Sequence, residues 1–142
     1  MRNRFIGTER GNILSGIPVT ALKRNNELFP KIEMLREKDS RAAAIVDRYF
    51  CDMVRAIHTI NAVLLPGGTF VLVCGDNLVA GQRIPTWQIL NSMAEERGLV
   101  LHQQFGDKIE RRHVPPQRNG HKGLIKQEVV SIFVKPRKGA TR

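Results

Sequence analysis

The stretch Leu64–Asn77, LLPGGTFVLVCGDN, constrains the fold more than any other part of the chain. Pro66-Gly67-Gly68 opens it as a turn and Gly75-Asp76-Asn77 closes it. Between them Phe70 to Cys74 run without a polar interruption. A short, β-branched-rich apolar run bounded by turn residues predicts a strand buried on both faces. Strands of that kind sit in parallel or mixed sheets with helices on each side. The stretch is therefore expected to be the central strand of an α/β layer.

The flanks support that expectation. Asp39 or Ser40 can cap a helix, and beyond them Val46, Phe50, Met53, Ile57, Ile60 and Leu64 recur at steps of three and four. That period predicts a long amphipathic helix, ended by Pro66-Gly67. After the strand, Leu78–Pro85 reads as a loop. Thr86 reads as the cap of a helix running to about Arg97, with Trp87, Leu90 and Met93 inward and Gly98 just past its end. Leu99–Phe105 alternates apolar and polar positions, as an edge strand does, whereas Glu128–Val134 is apolar on both faces apart from Ser131. This polarity pattern places the last strand between the other two and antiparallel to both.

Residues 1–38 are expected to be an irregular segment with short helices, one of them opened by Pro30. Gly7, Gly11 and Gly16 follow no strand and precede no Lys-Ser/Thr pair, so they satisfy no nucleotide-binding fingerprint. Residues 39–135 are expected to form the α/β domain and 136–142 a basic tail, with the Lys/Arg-rich end from Lys135 onwards disordered.

Charge narrows the partner. Over 142 residues, 23 Lys and Arg against 13 Asp and Glu give a net charge of +10, which favours an anionic partner and nucleic acid above all. A hydrophobic content of 42% argues against wholesale disorder. No apolar run approaches the roughly 20 residues of a membrane span, and the opening MRNRFIGTERGN lacks the apolar core of an export signal. A cytoplasmic protein away from membranes is expected, with Cys51 and Cys74 as buried free thiols. His58 has no second ligand four residues on, and no Cys-x-x-Cys or His-x-x-x-His spacing occurs, so no metal site is expected.

The strongest chemical signal is Arg111–Lys126, RRHVPPQRNGHKGLIK. It carries Arg111, Arg112, Arg118, Lys122 and Lys126 and no acidic residue. Pro115-Pro116 stiffen it, while Gly120 and Gly123 let it turn. Such an arm suits phosphate contacts, which position a nucleic acid without reading it. Arg118, Asn119 and His121 are of the types that reach base edges. The alternative for this segment is a solvated hairpin loop. Asp76 and Asn77 stand at the C-terminal end of the apolar strand, where open α/β sheets bind their ligands; the alternative there is a plain strand-to-loop turn.

Four blocks together resemble the C-terminal half of class I S-adenosylmethionine-dependent methyltransferases, specifically the DNA amino-methyltransferases. They are the long helix ending in LLPGG, the strand FVLVCGDN, the helix and strand TWQILNSMAEERGLVL, and the arm with its strand, RRHVPPQRNGHKGLIKQEVVSIFVK. The opening RFIGTERGN resembles the segment after that family's catalytic strand. The resemblance implies a partial Rossmann-like sheet of three C-terminal strands with flanking helices, the last strand inserted antiparallel. It implies a DNA-side role for Arg111, Arg112, Arg118, Asn119, His121, Lys122 and Lys126, and a place on the active-site rim for Asp76 and Asn77.

The family's glycine-rich cofactor loop has no counterpart here. Its catalytic Asp/Asn/Ser-Pro-Pro-aromatic motif is absent too, since the only Pro-Pro is in Val114-Pro115-Pro116-Gln117. No catalytic residue carries over. The expectation is half of a DNA adenine or cytosine amino-methyltransferase, inactive alone. S-adenosylmethionine would be used by the complete enzyme and not bound by this chain, and a second chain would carry the missing N-terminal half. The alternative is a stand-alone basic nucleic-acid-binding module without catalysis.

Overall fold

A computed structural model of the protein describes residues 28–108 and 127–137. In chain order its elements are α1 (Leu28–Lys38), α2 (Ser40–Val63), β1 (Thr69–Gly75), β2 (Asn77–Val79), β3 (Gln82–Ile84), α3 (Thr86–Glu95), β4 (Val100–Lys108) and β5 (Gln127–Val134).

The helices follow from their apolar spacing and their caps. Asp39 takes an extended backbone, and its carboxylate accepts the Ala42 amide at 2.9 Å, which satisfies a donor that the first turn of α2 leaves open. Ala43, Val46, Phe50, Cys51 and Ile57 form the buried stripe of α2. Leu28, Ile32 and Leu35 of α1 lie one helical turn apart and are buried with that stripe in one core. In α3 the buried face is Ile89, Leu90, Met93 and Ala94, with Trp87 only half-buried. Thr86 is the first residue of that helix and not its cap. Pro85 holds the capping position, and the Thr86 hydroxyl donates to the Ile84 carbonyl at 3.3 Å.

The main sheet has the order β1-β5-β4. β5 pairs antiparallel with both neighbours, joining Thr69 to Val134 and Gly75 to Glu128 on one side, and Val100 to Val134 and Lys108 to Gln127 on the other. The last strand is therefore inserted antiparallel between the other two, as its two-faced apolar pattern predicts. A bulge at His102 breaks the β4 register between Leu101 and Gln103.

One expectation for the sheet fails. β1 stands at an edge of the described sheet, as the predicted strand order implies, but it is buried on one face only and not on both. Phe70, Leu72 and Cys74 pack into the core with Phe133, Leu99 and the residues of α2 and α3. Val71 and Val73, on the other face, are 52% and 53% exposed. Apolar content alone cannot say which face its own chain will cover. The described residues supply one helical layer, so only the inner side chains of β1 are buried. The result is a mixed α/β unit with an antiparallel three-stranded sheet; the second helical layer of a Rossmann-like sheet is not among the described residues. None of the described helices is long and apolar enough to cross a membrane.

One end of this unit is tied down by a small set of hydrogen bonds. The Lys135 ammonium donates to the carbonyls of Asn61 and Leu64 at 2.6 and 2.9 Å, satisfying acceptors at the C-terminus of α2. Its backbone continues the ladder, accepting from the Gly67 amide and donating to the Gly68 carbonyl. Gly67 holds a φ of 84°, which a side chain would strain. Asn61 donates through Nδ2 to the Arg97 carbonyl at 2.6 Å, joining the ends of α2 and α3. Lys135 thus belongs to the fold and not to a disordered tail.

Candidate functional site

β1 ends where Gly75 pairs with Glu128, and Asp76 is the single residue between β1 and β2. The segment expected as a loop after it is a hairpin. β2 and β3 pair antiparallel, joining Asn77 to Ile84 and Val79 to Gln82. Ala80 and Gly81 make the turn with φ values of 47° and 78°. Two successive positive φ angles give the turn whose twist matches that of paired strands.

Folding back in this way returns Arg83 to Asp76. The Arg83 Nε donates to Asp76 Oδ2 at 2.7 Å, and Nη2 lies against the same oxygen. The Asp76 side chain is only 15% exposed, whereas that of Arg83 is 78% exposed. Asp76 Oδ1 is buried and has no hydrogen-bond partner among the described residues. It is an open acceptor at the mouth of the strand, suited to an N–H or O–H donor. Asn77 Nδ2 donates to the Thr86 hydroxyl at 3.2 Å, so Asn77 ties the start of the hairpin to the first residue of α3.

The Cys74 thiol and the Tyr49 phenol are held neutral. Burial, reinforced by the carboxylates of Asp76 and Glu128, pushes the Cys74 thiol up to about 11. Burial, and then the neighbouring Cys74, raises the Tyr49 phenol above its ordinary value. A thiol so far from its thiolate is a poor nucleophile at neutral pH. Both cysteines are free, Cys51 buried and Cys74 half-buried. Among the described residues no group of His, Cys, Asp and Glu side chains could hold a metal ion.

The arm of Arg111, Arg112, Arg118, Asn119, His121, Lys122 and Lys126 lies outside the described residues. Its roots do not. Lys108 and Gln127 form the terminal pair of β4 and β5, one rung from the Asp107–Glu128 pair. Glu128 is also the partner of Gly75. The arm thus leaves and re-enters the sheet at the end that carries Asp76. Sequence reasoning picked out Asp76 and Asn77 but missed Arg83, because its partnership with Asp76 exists only once the hairpin forms. The glycine in Ala80-Gly81 was the one local signal for that hairpin.

No protein-family model matches the chain. No curated protein matches it. Among solved structures, one from Thermus thermophilus, provisionally named a DNA modification methylase, aligns at 16% identity with a TM-score of 0.47. The alignment covers 80% of this chain and 44% of that protein, so the chain spans less than half of that protein's length, and the likeness is a loose one.

Proposed function

We propose that this chain is the C-terminal, DNA-side half of an S-adenosylmethionine-dependent DNA amino-methyltransferase, and that it acts with a polypeptide supplying the rest of the catalytic domain. The observation that carries the reading is the β1-β5-β4 order, with the last strand inserted antiparallel. That is the arrangement the resemblance of the four sequence blocks implies. The placement of Asp76 and of both roots of the basic arm at one end of the sheet supports it.

The case for a partner rests on the bare parts of the sheet. Among the described residues, β1 has no neighbour on its second edge. Such an edge, seven residues long and without Lys, Pro or a bulge, is a template for another strand. The described residues do not fit S-adenosylmethionine. The turn after β1 passes through Asp76 into a hairpin and not through a glycine-rich loop into a helix. No catalytic step is therefore assigned to this chain.

The net charge of +10 favours a second reading, a basic nucleic-acid-binding module that works alone. Three experiments bear on the two, and the last separates them. Calorimetry of the folded chain with S-adenosylmethionine should give no binding heat; saturable binding would overturn the half-enzyme reading. Duplex DNA should bind with an affinity that falls steeply with salt. Transfer of tritiated methyl groups to DNA should appear only when a polypeptide bearing the cofactor loop and the Pro-Pro-aromatic motif is added. Its absence with a co-purifying partner of that kind would leave the module reading standing.

A further inference from the structure

We infer that a groove between α1, the β2–β3 hairpin and α3 is a second phosphate-contact surface, separate from the 111–126 arm, which takes the sugar–phosphate backbone of a nucleic acid lying across the Asp76 end of the sheet. The inference rests on the reading that this chain meets nucleic acid. The groove is open, encloses about 400 Å³, and is lined by Lys31, Arg83, Pro85 and Gln88. These residues come from three elements, and no carboxylate lines the groove.

The two cations play different parts. Asp76 holds the Nε and Nη2 side of the Arg83 guanidinium, while Nη1 makes no bond among the described residues. A guanidinium already fixed on one side loses less rotational freedom when it meets a phosphate on the other. The Arg83 side chain is 78% exposed, so the free side faces solvent. Lys31 makes no ion pair among the described residues and supplies a mobile point charge from the opposite wall. Gln88 adds an exposed amide that can donate to a phosphate oxygen.

The shape and charge favour an extended polyanion. The groove is open, Pro85 is its one apolar lining residue, and none of the described residues closes over it. Small-molecule sites are usually concave and mostly apolar. Asp76 puts Arg83 at the end of the sheet where Lys108 and Gln127 root the basic arm. A nucleic acid lying across that end of the sheet meets Lys31, Arg83 and Gln88, whose phosphate contacts would fix its orientation across the open acceptor of Asp76.

The test is fluorescence anisotropy of the full chain with an end-labelled duplex of about 20 base pairs over a range of salt, the slope of log affinity against log salt being close to −0.9 per phosphate contact. Lys31→Gln and Gln88→Glu touch no bond described above, so neither disturbs the fold. Each should weaken binding about threefold to tenfold near 100 mM salt, and Lys31→Gln should flatten the slope by about one. Lys31→Gln with Arg83→Gln should flatten it by about two. If the parent binds and Lys31→Gln and Gln88→Glu both match it in affinity and slope, the groove is not a contact surface and the wider reading survives. If the parent fails to bind duplex DNA at low salt, the wider reading fails and the groove falls with it.

Discussion

On one face of the sheet, Phe70, Leu72 and Phe133 lie in the core with α2 and α3; on the other, Val71, Val73, Val100 and Phe105 lie exposed, 47–54% of each open to solvent. The two faces have similar apolar content. Phe70 and Phe133 stack at 6.0 Å between ring centres on the covered side, and valines and a phenylalanine form the bare one. Isolated exposed apolar side chains need no explanation, but here they recur on one face of β1 and of β4, the two strands that flank β5. The comparison teaches that the hydropathy of a strand does not tell which of its two faces the described residues cover.

The largest expected effect sets the faces against each other. Phe133→Ala should cost about 3–5 kcal/mol in chemical denaturation, because it empties a fully buried position. Val71→Thr with Val73→Thr should stay within about 0.5 kcal/mol, since both sites are exposed and threonine keeps the β-branched shape. A loss of roughly 2 kcal/mol or more in the double variant would mean that the chain's own residues cover the outer face after all.

Adjacent positions on opposite faces sharpen the contrast. Iodoacetamide at pH 8 should modify a cysteine introduced by V73C at least about a hundredfold faster than Cys74, whose thiol is held up at about 11. Equal rates, read by peptide mass mapping, would mean that β1 is not sided in solution. Next in size comes the tie between the helical layer and the sheet. Lys135→Met keeps the aliphatic stem but leaves the Asn61 and Leu64 carbonyls without their donor, at an expected cost of about 1–2 kcal/mol in thermal unfolding.

The smallest effect tests the helical layer itself. Asp47 has a buried oxygen without a partner, and burial raises its carboxyl above 3.8, opposed by Arg36 and reinforced by Glu33. A group whose folded value lies above its unfolded one contributes fully below the unfolded value. That contribution is lost as pH rises through the folded value. Asp47→Asn should therefore stabilise the fold by up to about 0.5 kcal/mol at pH 7 and by nothing at pH 3. Stabilisation of equal size at both pH values would contradict this account.

Much of the frame was legible because polarity patterns record neighbours. The alternation over Leu99–Phe105 marked an edge strand, and the apolar faces of Glu128–Val134 marked an interior one, which together fixed the strand order. The same logic overstated the burial of β1, because its apolar outer face has no cover among the described residues. The hairpin was hidden for a local reason. Its turn uses Ala80 in a backbone region that usually selects glycine or asparagine, so the familiar two-residue signal was missing. Without the hairpin, Arg83 was one more exposed basic residue, and the groove it shares with Lys31 and Gln88 joins residues too far apart in sequence to be paired by spacing.

The position of β5 bears on the order in which this chain folds. α1 and α2 are joined by Asp39 alone, and α2 leads through one short turn into β1, so their mutual contacts can form early. β1 and β4 do not pair with each other; among the described residues each meets only β5, which binds Thr69 through Val134 and Val100 through the same residue. Until that strand arrives, β1 and β4 have no strand among the described residues to pair with, and the loop between Thr69 and Val134 must close before the sheet returns any energy. Because that closure spans most of the described residues, the sheet is expected to form after the helical contacts, and until then its unpaired strands are the part of the chain open to intermolecular association.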